Sequence, residues 1–141
     1  MTDLITRLSK LVAPDREVDA RIWCEVHGVA YVDHYALMHE TQVIFKEKGK
    51  RKEQVSGDDM PHAALYTASV DAAIALAERV LPGWKWRVGR TELFPNGWAY
   101  VHKYDPSNCD RADEAACADG KAANPAIALL IALLRAKEAS K

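Results

Sequence analysis

The stretch Tyr66-Thr-Ala-Ser-Val-Asp-Ala-Ala-Ile-Ala-Leu-Ala-Glu-Arg-Val-Leu-Pro-Gly-Trp-Lys-Trp86 writes a capped helix, a stop and a strand without interruption. Ser69 suits an N-cap, accepting a hydrogen bond from a first-turn N–H, and Asp71 suits the positive end of the helix dipole. Val70, Ala73, Ile74, Ala77, Val80 and Leu81 recur at helical spacing on one stripe, with Asp71, Ala75 and Glu78 opposite. Pro82 cannot continue the helix and Gly83 supplies a permissive backbone, so the chain turns back after Leu81. Trp84, Trp86 and Val88 then alternate with Lys85, Arg87 and Gly89, the period of two of a half-buried strand.

Downstream, Phe94-Pro95-Asn96-Gly97 has the residues of a type I turn, with Gly97 free to take the positive φ of a bulge. Trp98 to Tyr104 completes a hairpin; both of its faces are partly apolar, so its inner face is not assigned by pattern. Asp105 to Ala123, with Asp105, Asp110, Asp113, Glu114 and Asp119 against Arg111 and Lys121, reads as an acidic loop. Asn124 caps a last helix with Pro125 at its first position. Its run Ala126 to Leu134 is apolar all round, which calls for burial on several sides or for sharing with a second copy in a homodimer. Arg135, Lys137 and Lys141 suit its C-terminal end.

Upstream, Leu4, Ile5, Leu8, Leu11 and Val12 recur at helical spacing behind a Thr2 cap, and Pro14 ends that segment. Asp15 caps a second helix with Val18, Ile22 and Val26 on one face, Glu17 and Arg21 paired outside, and Gly28 as its stop. A DNA-reading helix-turn-helix is disfavoured, because Asp15, Glu17, Asp19 and Glu25 outweigh Arg16 and Arg21 on that helix and would repel phosphates. Tyr31 to Met38 fits a short helix or a strand. Thr41 to Lys46 suits a strand, and Glu47 to Lys50 a turn from which Arg51 to Val55 returns as its partner.

The 141 residues, 49% of them hydrophobic, have one domain's length: a helical hairpin over 1–28, an insert with a second hairpin over 29–65, and a helix, hairpin, loop and helix over 66–141. Nineteen basic and twenty acidic residues give a net charge of -1, so no global field favours nucleic acid or an anionic membrane. Cys24, Cys109 and Cys117 are too few for a disulfide framework and predict free thiols in a reducing compartment. The N-terminus lacks a basic-then-apolar signal pattern, and the Ala126 to Leu134 run is far shorter than the roughly 20 residues of a spanning helix. A cytoplasmic protein without a membrane partner is expected.

Three groupings carry candidate chemistry. Trp84, Lys85, Trp86, Arg87, Trp98 and Tyr100, joined by Tyr104 and Lys103, can form an aromatic surface on which bases stack with cations for phosphates; ordinary core packing is the alternative. Lys46, Lys48, Lys50, Arg51 and Lys52 make a basic tip for an acidic partner or nucleic acid, and a solvated hairpin end is the alternative. Asp110, Asp113 and Glu114 provide an acidic counterpart. Cys24, His27, His34 and His39 have ligand-type side chains, but their spacing matches no standard zinc site, and surface or cap histidines are the favoured reading. No Ser/His/Asp or Cys/His arrangement, glycine-rich phosphate loop or His-Glu-x-x-His pattern is present, so no catalytic residue and no cofactor is assigned.

Tyr66-Thr67-Ala68-Ser69-Val70-Asp71-Ala72-Ala73, Leu81-Pro82-Gly83-Trp84-Lys85-Trp86 and the late Asn124-Pro125-Ala126-Ile127-Ala128-Leu129 resemble the phage ABA sandwich domain family of small bacteriophage and prophage proteins. Leu4 to Leu8 and Asp15 to Ala20 resemble that family's helical start, so the likeness touches nearly the whole chain. Its departures are the polar approach Arg51 to Ala64 and the Asp105 to Ala123 segment. The resemblance implies an α+β fold with a small antiparallel sheet layered between helices. It supplies no reaction, since fold analogy cannot. The resulting expectation is a non-catalytic phage or prophage accessory protein that binds a host or phage macromolecule, with modulation of a host defence system as one role. The alternatives are nucleic-acid binding through the Trp/Tyr hairpin and, third, a metal-dependent enzyme.

Overall fold

The computed structural model describes residues 2–49, 53–54, 61–105 and 108–139, with the backbone alone for 53–54, 104–105 and 108–116. Among the described residues four helices, α1 (Thr2–Lys10), α2 (Arg16–His27), α3 (Val70–Val80) and α4 (Pro125–Ala139), pack on two antiparallel sheets in an α+β fold. In the first sheet β1 (Ala30–Ala36) pairs one edge of β2 (Thr41–Lys46), and the short β3 (Glu53–Gln54) and β4 (His62–Ala63) share its other edge. The second sheet runs β5 (Lys85–Gly89), β6 (Trp98–Asp105), β7 (Asn108–Lys121).

The starts of α2, α3 and α4 are capped as their residues dictate. Ser69 Oγ accepts from the Ala72 N–H at 3.2 Å, Asp15 Oδ1 from Val18 at 3.2 Å and Asn124 Oδ1 from Ile127 at 2.8 Å. Gly28, with φ 69°, closes α2, and Gly83, with φ 82°, turns the chain from α3 into β5. Leu76 joins Ala73 and Ala77 among the buried residues of α3, although the sequence stripe omitted it. Thr2 lies inside α1 instead of capping it, and its hydroxyl bonds Glu138 near the far end of α4.

The acidic segment is where expectation and structure part. Asn108–Lys121 forms a strand paired with β6, not a loop. It has no β-branched or aromatic residue, so its strand state comes from pairing and from the helix beneath it rather than from propensity. The hairpin before it also closes differently: Thr91 and Phe94 exchange backbone hydrogen bonds at 3.1 and 3.2 Å, and Gly97 has no positive φ. Gly97 is needed for closeness, since a Cβ there would sit 2.6 Å from backbone atoms of Asn124 and Pro125.

α4 is the centre of the core. Ala126 through Leu134 are all buried within the chain, against α1, α3 and the inner face of the second sheet, so this run leaves no apolar face for a second copy. α2 packs on β1 and β2. A buried polar knot joins the layers: Thr67 donates its N–H and its hydroxyl to Asp19 Oδ1, both at 2.8 Å, accepts from the Asp15 N–H at 2.9 Å, and its carbonyl accepts from Asn124 Nδ2 at 3.1 Å. One threonine thus fixes the start of α2, the approach to α3 and the cap of α4. No helix among the described residues is long and apolar enough to cross a membrane.

Candidate functional site: the outer face of the second sheet

Residues paired across a sheet share a face, and successive residues alternate. Trp86, Val101 and Ala118 therefore point one way with Val88, Ala99 and Gly120, and the burial of Ala99, Val101 and Gly120 identifies this as the α4 side. The opposite face carries three rungs: Lys85, His102 and Cys117; Arg87, Tyr100 and Asp119; Gly89, Trp98 and Lys121. Among the described residues α4 is the one helix packed closely on this sheet, so the outer face has no helical cover.

Along the middle of that face Trp98 and Tyr100 are half-buried, and His102 is nearly closed off. The Tyr100 and His102 rings stack with centroids 5.1 Å apart. Burial, then the positive charges of Arg87 and Lys85, hold the imidazole of His102 below its ordinary pKa. Burial, then a hydrogen bond with Cys117, pushes the Tyr100 hydroxyl up. Lys85, Arg87, Asp119 and Lys121 are exposed along the margins. At the Trp98 end the face opens into a shallow dish of about 470 Å³ lined by Thr91, Glu92, Leu93, Phe94 and Trp98, with the Lys121 ammonium 4.4 Å from the centre of the Phe94 ring. Leu93 is 83% exposed there, an apolar side chain held in water.

Of the aromatic set expected from sequence, Lys85, Arg87, Trp98 and Tyr100 converge on this face. Trp86 is on the α4 side, and Trp84 packs against the core. His102 and Lys121 complete the face. The sequence groups Trp98 with Tyr100 but does not choose between the faces of β6, and Lys121 falls in the segment that reads as a loop, so its place beside Trp98 comes from the strand pairing.

The other candidates are less assembled. Lys46 is half-buried and Lys48 exposed, while Lys50, Arg51 and Lys52 lie outside the described residues. Asp110, Asp113 and Glu114 belong to β7, and their side chains are likewise outside the description. Cys24 is buried in α2, His27 stacks on Trp23 at 3.9 Å, His34 bonds the Tyr31 hydroxyl at 2.7 Å and His39 is exposed, so the four do not converge. No group of three or more His, Cys, Asp or Glu side chains among the described residues is placed to hold a metal. Neither Cys24 nor Cys117 is joined in a disulfide among the described residues.

A second depression, of about 390 Å³, lies between α1, α2 and β1 and includes Arg7, Arg21, Tyr31 and Lys48. Its arginines are already answered within the protein, since Glu17 pairs with both and Arg21 also lies 4.1 Å from the centre of the Tyr31 ring. Burial pushes the Glu17 carboxyl up, but the hydrogen bonds from Arg7 and Arg21 outweigh it and hold it below its ordinary pKa. Arg16 donates to the carbonyls of Leu37 and Glu40. Both arginines of α2 thus have partners inside the molecule, against a DNA-reading role for that helix.

No family model matches the chain, and no curated protein or solved structure matches it.

Proposed function

We propose that this chain is a small, non-catalytic accessory protein that works by binding a macromolecule, and that its ligand is single-stranded nucleic acid lying along the outer face of the β5–β6–β7 sheet. The observation that carries this reading is the juxtaposition of Trp98 and Tyr100 with Lys85, Arg87 and Lys121 on a face that no described helix covers. Rings offer every base a stacking surface, and flanking cations answer the phosphates. The net charge of -1 is no obstacle, because the field that matters is local: among the described residues, three cations stand against Asp119 on this face. The likeness of the Tyr66 to Ala73 and Leu81 to Trp86 segments to the phage ABA sandwich family supports a setting in a bacterial host's cytoplasm, as a phage or prophage product, with modulation of a host defence system as one use of such binding.

The test is oligonucleotide titration. Single strands of about ten nucleotides should bind better than duplex, with a salt slope near −2 if about three phosphates are neutralised. Arg87→Glu should weaken binding about tenfold or more. Absence of binding by the wild-type protein, or equal binding by Arg87→Glu, overturns the reading.

A second reading, docking onto a host or phage protein, is favoured by Tyr35, Leu37 and Met38, which are 53%, 44% and 83% exposed at the β1–β2 turn. Recovery of a stoichiometric, nuclease-resistant partner that Met38→Asp no longer captures would support it. Recovery that depends on nucleic acid would return the weight to the sheet face.

A further inference from the structure

Six of the chain's glycines divide by the reason each position needs one. Gly28, Gly49 and Gly83 have positive φ, and a Cβ on Gly97 or Gly120 would strike backbone atoms of α4 or its cap. Gly89 fits neither group: its φ lies outside the left-handed region, and a Cβ there would meet nothing within 4 Å. It sits in β5, a strand, where glycine is disfavoured relative to alanine. Its neighbour on the outer face is Trp98. The space above Gly89, beside its cross-strand partner Trp98, is therefore open, and the dish walled by Leu93 and Phe94 opens on Trp98 as well.

We infer that the Gly89 gap and the dish together form a pocket for one base of the bound strand, stacked on Trp98 with Leu93 and Phe94 as its apolar wall. This rests on the reading of the sheet face given above and names its anchoring point. The charges select the occupant. Arg87 lies one rung away on β5 and Lys121 lies on the far side of Trp98, so a base seated on the indole has cations on both flanks for its own and the next phosphate. Counted with Lys85, the cations among the described residues number three against Asp119 and the Glu92 of the dish rim, an excess that suits a phosphodiester better than an apolar or basic peptide. Tyr100 cannot be the anchor in the same way, because one of its faces is already taken by His102.

Gly89→Val tests this directly. Valine is favoured in strands and its Cβ enters open space, so the variant should keep its far-ultraviolet circular dichroism and its thermal midpoint. It should lose about tenfold or more in affinity for a single strand of about ten nucleotides, since stacking one base is worth about 1–3 kcal/mol. Ligand quenching of tryptophan fluorescence should vanish in Trp98→Phe, which leaves the other three tryptophans in place. If Gly89→Val misfolds, Gly89→Ala, which adds one methyl, takes its place with a smaller loss expected. Wild-type affinity in the folded valine variant, alongside lost binding in Arg87→Glu, overturns the pocket and leaves the sheet face standing. No binding by wild-type protein overturns both. A free nucleoside monophosphate that binds as tightly as the oligonucleotide overturns the strand as occupant.

Discussion

Asp19 carries the clearest residue-scale consequence. Its carboxyl is buried, Oδ1 takes both donors of Thr67, and Oδ2 has no hydrogen-bond partner among the described residues. Burial pushes its pKa up, the Thr67 bonds only partly oppose this, and the value reaches about 6 against an ordinary 3.8. The folded state therefore holds this proton more tightly than the unfolded state does. Its stabilising effect is full below about pH 4, is lost as the pH rises to about 6, and is flat beyond. A shift of about two units corresponds to about 3 kcal/mol. Urea melts of wild type and Asp19→Asn across that window should show a falling stability in the first and a flatter line in the second; parallel curves would refute the assignment. Glu17 acts with the opposite sign, because its pKa is lowered, and its contribution is lost only as pH falls below the ordinary carboxylate range. Thr67→Val keeps the volume but strips a hydroxyl that bridges Asp15 and Asp19, and should cost about 1–3 kcal/mol by the same melts. Read from sequence, Asp19 is one more surface acid of a charged helix. Only the chain's return at Thr67, far away in sequence, makes it a core residue.

At the scale of the element, β7 and α4 depend on each other through Gly120. A Cβ at that position would overlap the Ala128 carbonyl and lie 3.0 Å from the Ala132 nitrogen, so the strand rests directly on the helix backbone. Gly120→Ala should destabilise by about 1–3 kcal/mol, read as a lower thermal midpoint. The contrast with Gly89, whose Cβ has room, makes the pair an internal control. This close fit also explains what was legible. The capped starts of α2 and α3, Gly28, the Pro82-Gly83 stop and the two strands of the Trp hairpin, though not its turn, follow from local chemistry and form where their residues say. β7 does not, because an Ala- and Asp-rich stretch has no local reason to be a strand and takes that form only beside β6 and over α4. The candidate face inherited that gap. Its Trp98 and Tyr100 alternate legibly along β6, but which face they share and the Lys121 margin came only with the pairing of β7.

For the whole molecule, the order of layers sets where it yields. α4 touches α1, α3 and the second sheet, so its amides can reach water only if that packing is lost together. The Ala36 to Glu40 turn has the reverse character: all five of its residues are exposed, and its cross-turn backbone tie is the Leu37 N–H to Glu40 carbonyl bond at 2.9 Å. Native-state hydrogen exchange should therefore find α4 and the Ala99 to Val101 segment of β6 exchanging slowest and together, at the free energy of global unfolding. The β1–β2 turn should exchange far faster. Leu130→Ala, which removes a fully buried side chain, should cost about 2–5 kcal/mol and lower protection in α4 and β6 by equal amounts, since both wait on the same event. The turn should hardly change. Should α4 lose protection while β6 keeps its own, the two would open separately, and the central place of α4 in the core would be wrong.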